Sequence, residues 1–150
     1  LFIWTVVVAI VNHLLLKKTP FGKAVHATGG NREAARYSGV KTDNIRIIVL
    51  VLCAVSAAFA GILYTGRLHG ARYTLGEADL LTVIAAVVIG GTAFSGGKGS
   101  IVGSIIGSIV MGMLNNGLLL MGLSVSEQMI ARGLIIIVAV SLSLRESLER

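Results

Sequence analysis

The chain has 150 residues, 55% of them hydrophobic and only 13% charged, with a formal net charge of +6 and one cysteine. Soluble domains carry about 25% charged residues, so this composition excludes an ordinary water-soluble globule and points to a membrane. The basic residues cluster between apolar blocks, as in cytoplasmic loops, which excludes nucleic-acid binding, and the lone Cys53 excludes an intrachain disulfide.

Five apolar blocks follow one another, at residues 1–16, 47–66, 80–97, 101–122 and 128–144. They predict an all-α, polytopic membrane helix bundle of about five spans, with a short cytoplasmic helix in the loop 17–46. A span needs about 20 apolar residues at about 1.5 Å each. The first block starts at Leu1 with no basic leader or cleavage site, so the expectation is a piece of a longer protein with further spans upstream.

Alternating spans let the charges set the sidedness. If the loop 17–46 faces the cytoplasm, the inner side holds Lys17, Lys18, Lys23, Arg32, Arg36, Lys41, Arg46, Lys98, Arg145 and Arg150. The outer loops then hold only Arg67 and Arg72, the bias that the positive-inside rule expects. The outer loop 67–79 also carries His69, Glu77 and Asp79; it either caps the mouth of a pathway or is a solvated connection.

Within the loop 17–46, GGNREAARYSGV (residues 29–40) reads as a short helix with defined ends. Gly29 and Gly30 precede it. Asn31 suits the N-cap, Glu33 the first turn and Arg36 the last, and Gly39 suits the left-handed residue after Ser38. A helix over 32–38 is marginal in water and needs a surface. Ala34 and Ala35 leave its middle slim, which suits insertion into a groove of a partner protein. Anionic lipid under Lys23, Arg32 and Arg36 is the other surface to weigh.

In the third and fourth blocks SGGKGSIVGSIIGS (95–108) is glycine-rich. A phosphate-binding loop needs Ser or Thr after Gly-Lys, and here Gly99 follows Lys98. A dinucleotide fingerprint needs a soluble βαβ unit around it. Gly99, Gly103 and Gly107 instead recur every four residues, with Ser104, Ser108 and Gly112 beside them, forming a smooth face for close helix packing. Gly90, Gly91, Gly96 and Gly97 mark a hinge or a close crossing near the inner end of the preceding span.

Asn115 and Asn116 are polar residues in an apolar run, so they either line a solute pathway or bond a neighbouring helix. Arg132, about one turn into the last block, is expected to snorkel to the outer surface. His13, His26 and His69 have no metal-ligand spacing, and no nucleophile–base arrangement supports an enzyme.

TPFGKAVHATGGNREAARYSGVKTDNIRI (19–47) resembles the cytoplasmic coupling loop of ABC-importer permease subunits. The likeness continues through AFAGIL (58–63), IAAVVIGGTAFSGGKGSIVGSIIG (84–107), LNNGLLLMG (114–122) and QMIARGLIIIVAV (128–140). It is greatest to the ribose/xylose-type sugar permeases, within the group that includes branched-chain amino-acid permeases. The resemblance implies the C-terminal half of a permease that pairs with a second copy, binds two cytoplasmic ATPase subunits and meets an extracytoplasmic sugar-binding protein. It makes residues 31–39 the coupling helix, and it places ATP and Mg on the ATPase, so no cofactor is expected in this chain. The membrane would be the bacterial inner membrane, with the C-terminus cytoplasmic and the solute a monosaccharide such as a pentose. Alternatives are a permease for another small polar solute (a branched-chain amino acid or an autoinducer-like molecule), an ATP-independent transporter or channel, and a structural anchor. No Asp or Glu lies within the five blocks, which counts against ion coupling.

Overall fold

The computed structural model describes residues 2–149. Seven helices follow in order among these residues, α1 (Phe2–Lys18), α2 (Pro20–Gly30), α3 (Arg32–Tyr37), α4 (Thr42–Leu68), α5 (Asp79–Ile89), α6 (Ile101–Leu120) and α7 (Val125–Leu148), and there is no strand. They fall into two compact units, residues 1–77 and 78–150.

In the first unit, α1 is apolar and ends on Lys17 and Lys18. The chain turns by 75° into α2 at Thr19. Pro20 sits at the first position of α2, where its missing N–H costs nothing, and it holds Thr19 extended at φ −109°, ψ 151°. The knee is tight: a Cβ on the buried Gly22 would overlap the Leu16 carbonyl. Helix α2 was not expected from the sequence, although Thr-Pro is an available start signal. Helix α4 has 27 residues and a length of about 40 Å. Its Phe59 meets Trp4 of α1 edge to face, with ring centroids 5.6 Å apart and an interplanar angle of 71°.

In the second unit, α5 packs against both α6 and α7. Ala85, Ala86 and Met111 form the buried centre, with Ile89, Ile135 and Ile136 against it. Helices α5 and α6 cross backbone to backbone. A Cβ on Gly103 would overlap the Gly90 carbonyl, and one on Gly107 would overlap the Ala86 carbonyl. Of the expected smooth face on α6, Gly103 and Gly107 are therefore occupied by α5, while Ser108 and Gly112 are exposed, and Gly90 is a close-crossing residue. Gly99 is looser, since a Cβ there would lie 3.4 Å from the Thr92 side chain, and a Cβ on Gly112 would meet nothing within 4 Å.

The spans differ from the expected five. Helices α4, α6 and α7 are long and apolar enough to cross a membrane, and the bent α1–α2 pair makes a fourth if taken as one span. The third block yields the 11-residue α5, about 16 Å long. Its helix stops because Gly91 adopts φ +88°, a left-handed conformation, and the chain then turns through Gly96 and Gly97. Helix α6 restarts on Ser100, whose hydroxyl accepts from the Gly103 N–H at 3.3 Å. Helix α7 begins three residues earlier than its block. Ser124 and Glu127 form a reciprocal capping box, with Ser124 N–H donating to Glu127 Oε2 at 2.7 Å and Glu127 N–H donating to Ser124 Oγ at 3.4 Å.

These contacts predict a contrast along α6. Gly107→Val forces α5 and α6 apart and costs about 2 kcal/mol or more. Gly112→Val, facing open space, is expected to cost far less. Thermal unfolding of the two purified variants in one detergent measures the difference.

Candidate functional site

The polar helix α3 is held at both ends as its sequence predicts. Asn31 is extended (φ −152°, ψ 105°) and serves two helices. Its N–H closes α2 on the Ala27 carbonyl at 3.1 Å, and its Oδ1 accepts from the Ala34 N–H at 3.0 Å to open α3. At the other end the Gly39 N–H donates to the Arg36 carbonyl at 3.1 Å and the Val40 N–H to the Ala35 carbonyl at 3.0 Å. With Gly39 at φ +89° this is a Schellman closure, which only glycine enters without strain. Glu33 lies in the first turn and Arg36 in the last, each matched to the helix dipole.

The two central alanines are not equivalent. Ala35 is 5% exposed, and Thr42 just beyond is 3% exposed, so Ala35 packs within its own unit, where α2, α3 and α4 meet. Ala35 therefore does not leave room for a partner as expected, because a six-residue helix needs one face against its own chain to be fixed at all. Ala34 is exposed alongside Glu33, Arg36 and Tyr37. Arg32 Nη2 reaches Asp43 Oδ1 at 2.6 Å, tying α3 to the start of α4. Both side chains are more than half exposed, so the ion pair steers orientation and contributes about 0–1 kcal/mol. Gly29 and Gly30 belong to the last turn of α2, and Ser38 returns its hydroxyl to the Ala34 carbonyl at 2.9 Å.

Sequence reasoning passed over two members of this surface. Tyr37, three positions after the small Ala34, is 91% exposed, and tyrosine is among the residues enriched at interface hot spots. Its signal was present in the motif, as the single aromatic among charges. Asp43 carried no local signal, since its partner lies eleven positions away.

In the second unit, Arg132 does not snorkel free. Its Nε donates to Asn115 Oδ1 at 2.9 Å, linking α7 to α6. Asn115 is therefore a helix-bonding residue, and Asn116 beside it is exposed. Gln128, one turn before Arg132, is buried and donates to the Leu123 carbonyl at 3.1 Å. Among the described residues no group of three or more His, Cys, Asp or Glu side chains could hold a metal ion.

Comparison with known proteins gives this geometry a context. The family described as the branched-chain amino acid transport system permease component matches residues 1–140. The ribose import permease protein RbsC of Bacillus subtilis is 45% identical over 138 residues, which are 92% of this chain and 43% of that protein. The same-named protein of Escherichia coli K12 is 47% identical over 126 residues, 84% of this chain and 39% of that protein. The galactose/methyl galactoside import permease protein MglC of Haemophilus influenzae is 39% identical over 140 residues, 93% of this chain and 42% of that protein. The chain thus spans about two fifths of the length of the curated relatives it matches. No solved structure matches it.

The double use of Asn31 predicts the effect of removing its side chain. Asn31→Ala removes the N-cap of α3 at a cost of about 1 kcal/mol. Amide hydrogen exchange at residues 34–38 is expected to quicken about fivefold, with exchange in α6 unchanged.

Proposed function

The chain belongs to the branched-chain amino acid transport system permease component family, and from that premise we propose that it is part of the membrane-spanning subunit of an ATP-driven sugar importer. The single observation that carries the sugar assignment is the likeness to ribose and galactose import permeases across 84–93% of this chain. The solute is a monosaccharide, and the subunit is a transport component rather than an enzyme. It lies in the bacterial inner membrane with residues 17–46 and the C-terminus on the cytoplasmic side, a placement supported by the charge bias.

Helix α3 is the coupling helix in this reading. Its capped ends and its exposed face of Glu33, Ala34, Arg36 and Tyr37 support docking into a groove on a cytoplasmic ATPase subunit, which binds ATP and Mg. The buried contacts of Ala35 and Thr42, and the Arg32–Asp43 pair, join α3 to α4, so a displacement of α3 bears on a long apolar helix. Closure of the ATPase pair then shifts the spans between inward- and outward-open forms. A second permease copy and an extracytoplasmic sugar-binding protein complete the assembly.

Ion-coupled transport is the weaker reading. Among the described residues of α4, α6 and α7, carboxylates occur only near helix ends, at Asp43, Glu127 and Glu146. Coupling carboxylates ordinarily lie within the spans.

The test uses the full-length permease assembled with its ATPase and binding protein in proteoliposomes. Ala34→Trp should abolish ATPase co-purification and lower ATP-driven uptake at least tenfold, with membrane insertion unchanged. Tyr37→Ala should weaken ATPase binding by about 2 kcal/mol, roughly thirtyfold, as loss of a central aromatic anchor does. Unchanged co-purification and uptake in both variants would refute the assignment of α3.

A further inference from the structure

We infer that Arg132, held by Asn115, and Thr82 form a hydroxyl-binding contact for the transported sugar inside the α5–α6–α7 cluster. The inference rests on the sugar-importer reading and names the residues that meet the solute. Helices α5 and α6 run antiparallel, with Gly90 at Gly103 and Ala86 at Gly107. One further turn brings Thr82 to the level of Met111, and the next turn of α6 carries Asn115. Ile135 and Ile136 of α7 pack on the Ala85–Ala86–Met111 centre, and Arg132 lies one turn before them. Thr82 therefore lies about one turn from the level of the Asn115–Arg132 pair, toward the same end of the cluster, and the three residues come from three different helices.

Two of these groups are incompletely satisfied. The Thr82 hydroxyl is buried with no hydrogen-bond partner. The half-buried Arg132 guanidinium uses Nε on Asn115, and its two terminal nitrogens make no hydrogen bond or ion pair among the described residues. An unpaired buried hydroxyl costs about 1–3 kcal/mol, and a cation within a span is dearer still. A buried polar group without a partner calls for an explanation, and a bound ligand supplies one. The chemistry on offer is a planar fork of N–H donors and a hydroxyl that both donates and accepts. That set suits vicinal hydroxyl groups of a neutral polyol, which bring donors and acceptors in pairs. Asn115 is a positioning residue in this scheme: its Oδ1 fixes the plane of the guanidinium, as outer hydrogen-bond partners fix a binding group.

The alternative is a plain interhelical clip, and apolar substitution separates the two. Thr82→Val keeps the shape and removes a hydroxyl that bonds nothing in the protein, so folding should be retained. The double variant Asn115→Leu/Arg132→Leu removes both partners of the bond together, a change that leaves no orphan. Both are built in the full-length permease with its ATPase and binding protein in proteoliposomes, and ATP-driven uptake of labelled D-ribose, D-galactose and D-xylose is measured. Wild-type uptake of at least one of these sugars upholds the importer reading, and uptake of none removes that reading and this inference with it. Given wild-type uptake, the expected result is a three- to tenfold fall in Thr82→Val and at least tenfold in the double variant. Melting temperatures in detergent should stay close to wild type. Uptake within twofold of wild type in either folded variant leaves the importer reading standing and overturns the sugar contact. Should the double variant fail to fold, Thr82→Val decides alone.

Discussion

The second unit depends on the backbone contact between α5 and α6. In lipid there is no hydrophobic drive to bring two helices together, so association relies on dispersion at close range and on polar links. Gly90, Gly103, Gly107 and Ala86 permit that range, because a side chain at any of the three glycines would overlap the opposing backbone. Met111 is fully buried beside them, and α7 closes over the same centre through Ile135 and Ile136. The short length of α5 belongs to the same arrangement. Gly90 makes the crossing, and Gly91 beside it ends the helix.

A different economy governs the polar helix of the first unit. Six residues bury almost nothing, and Ala35 is the only buried side chain among them. Order there comes from backbone hydrogen bonds at the two ends, supplied by Asn31 and by the Gly39 turn, each worth about 1 kcal/mol. A helix stabilised at its ends keeps its exposed side free for other contacts. Such an element has a fixed shape of its own, and a preorganised shape of this kind lowers the ordering cost of any binding.

Arg132 shows why a side chain's partner is hard to read locally. Its position near the start of an apolar block matches a snorkelling residue, and Asn115 seventeen positions earlier carries no mark of being its partner. The antiparallel return of α7 beside α6 brings them together. Thr82 is quieter still in the sequence, one hydroxyl on an apolar helix, and only its burial without a partner distinguishes it.

By itself the sequence determined the all-helical membrane character, the capped ends of α3 and the close-packing face on α6. Each of these follows from local chemistry: apolar run length, the capping preference of Asn31 and the left-handed freedom of Gly39, and a four-residue glycine repeat. Tertiary structure decided which helix fills that glycine face, that Ala35 turns inward while Ala34 stays out, and that Arg132 bonds Asn115. It also reduced the third apolar block to a short helix. These outcomes depend on contacts between residues distant along the chain, and hydropathy and periodicity carry no information about which surfaces meet.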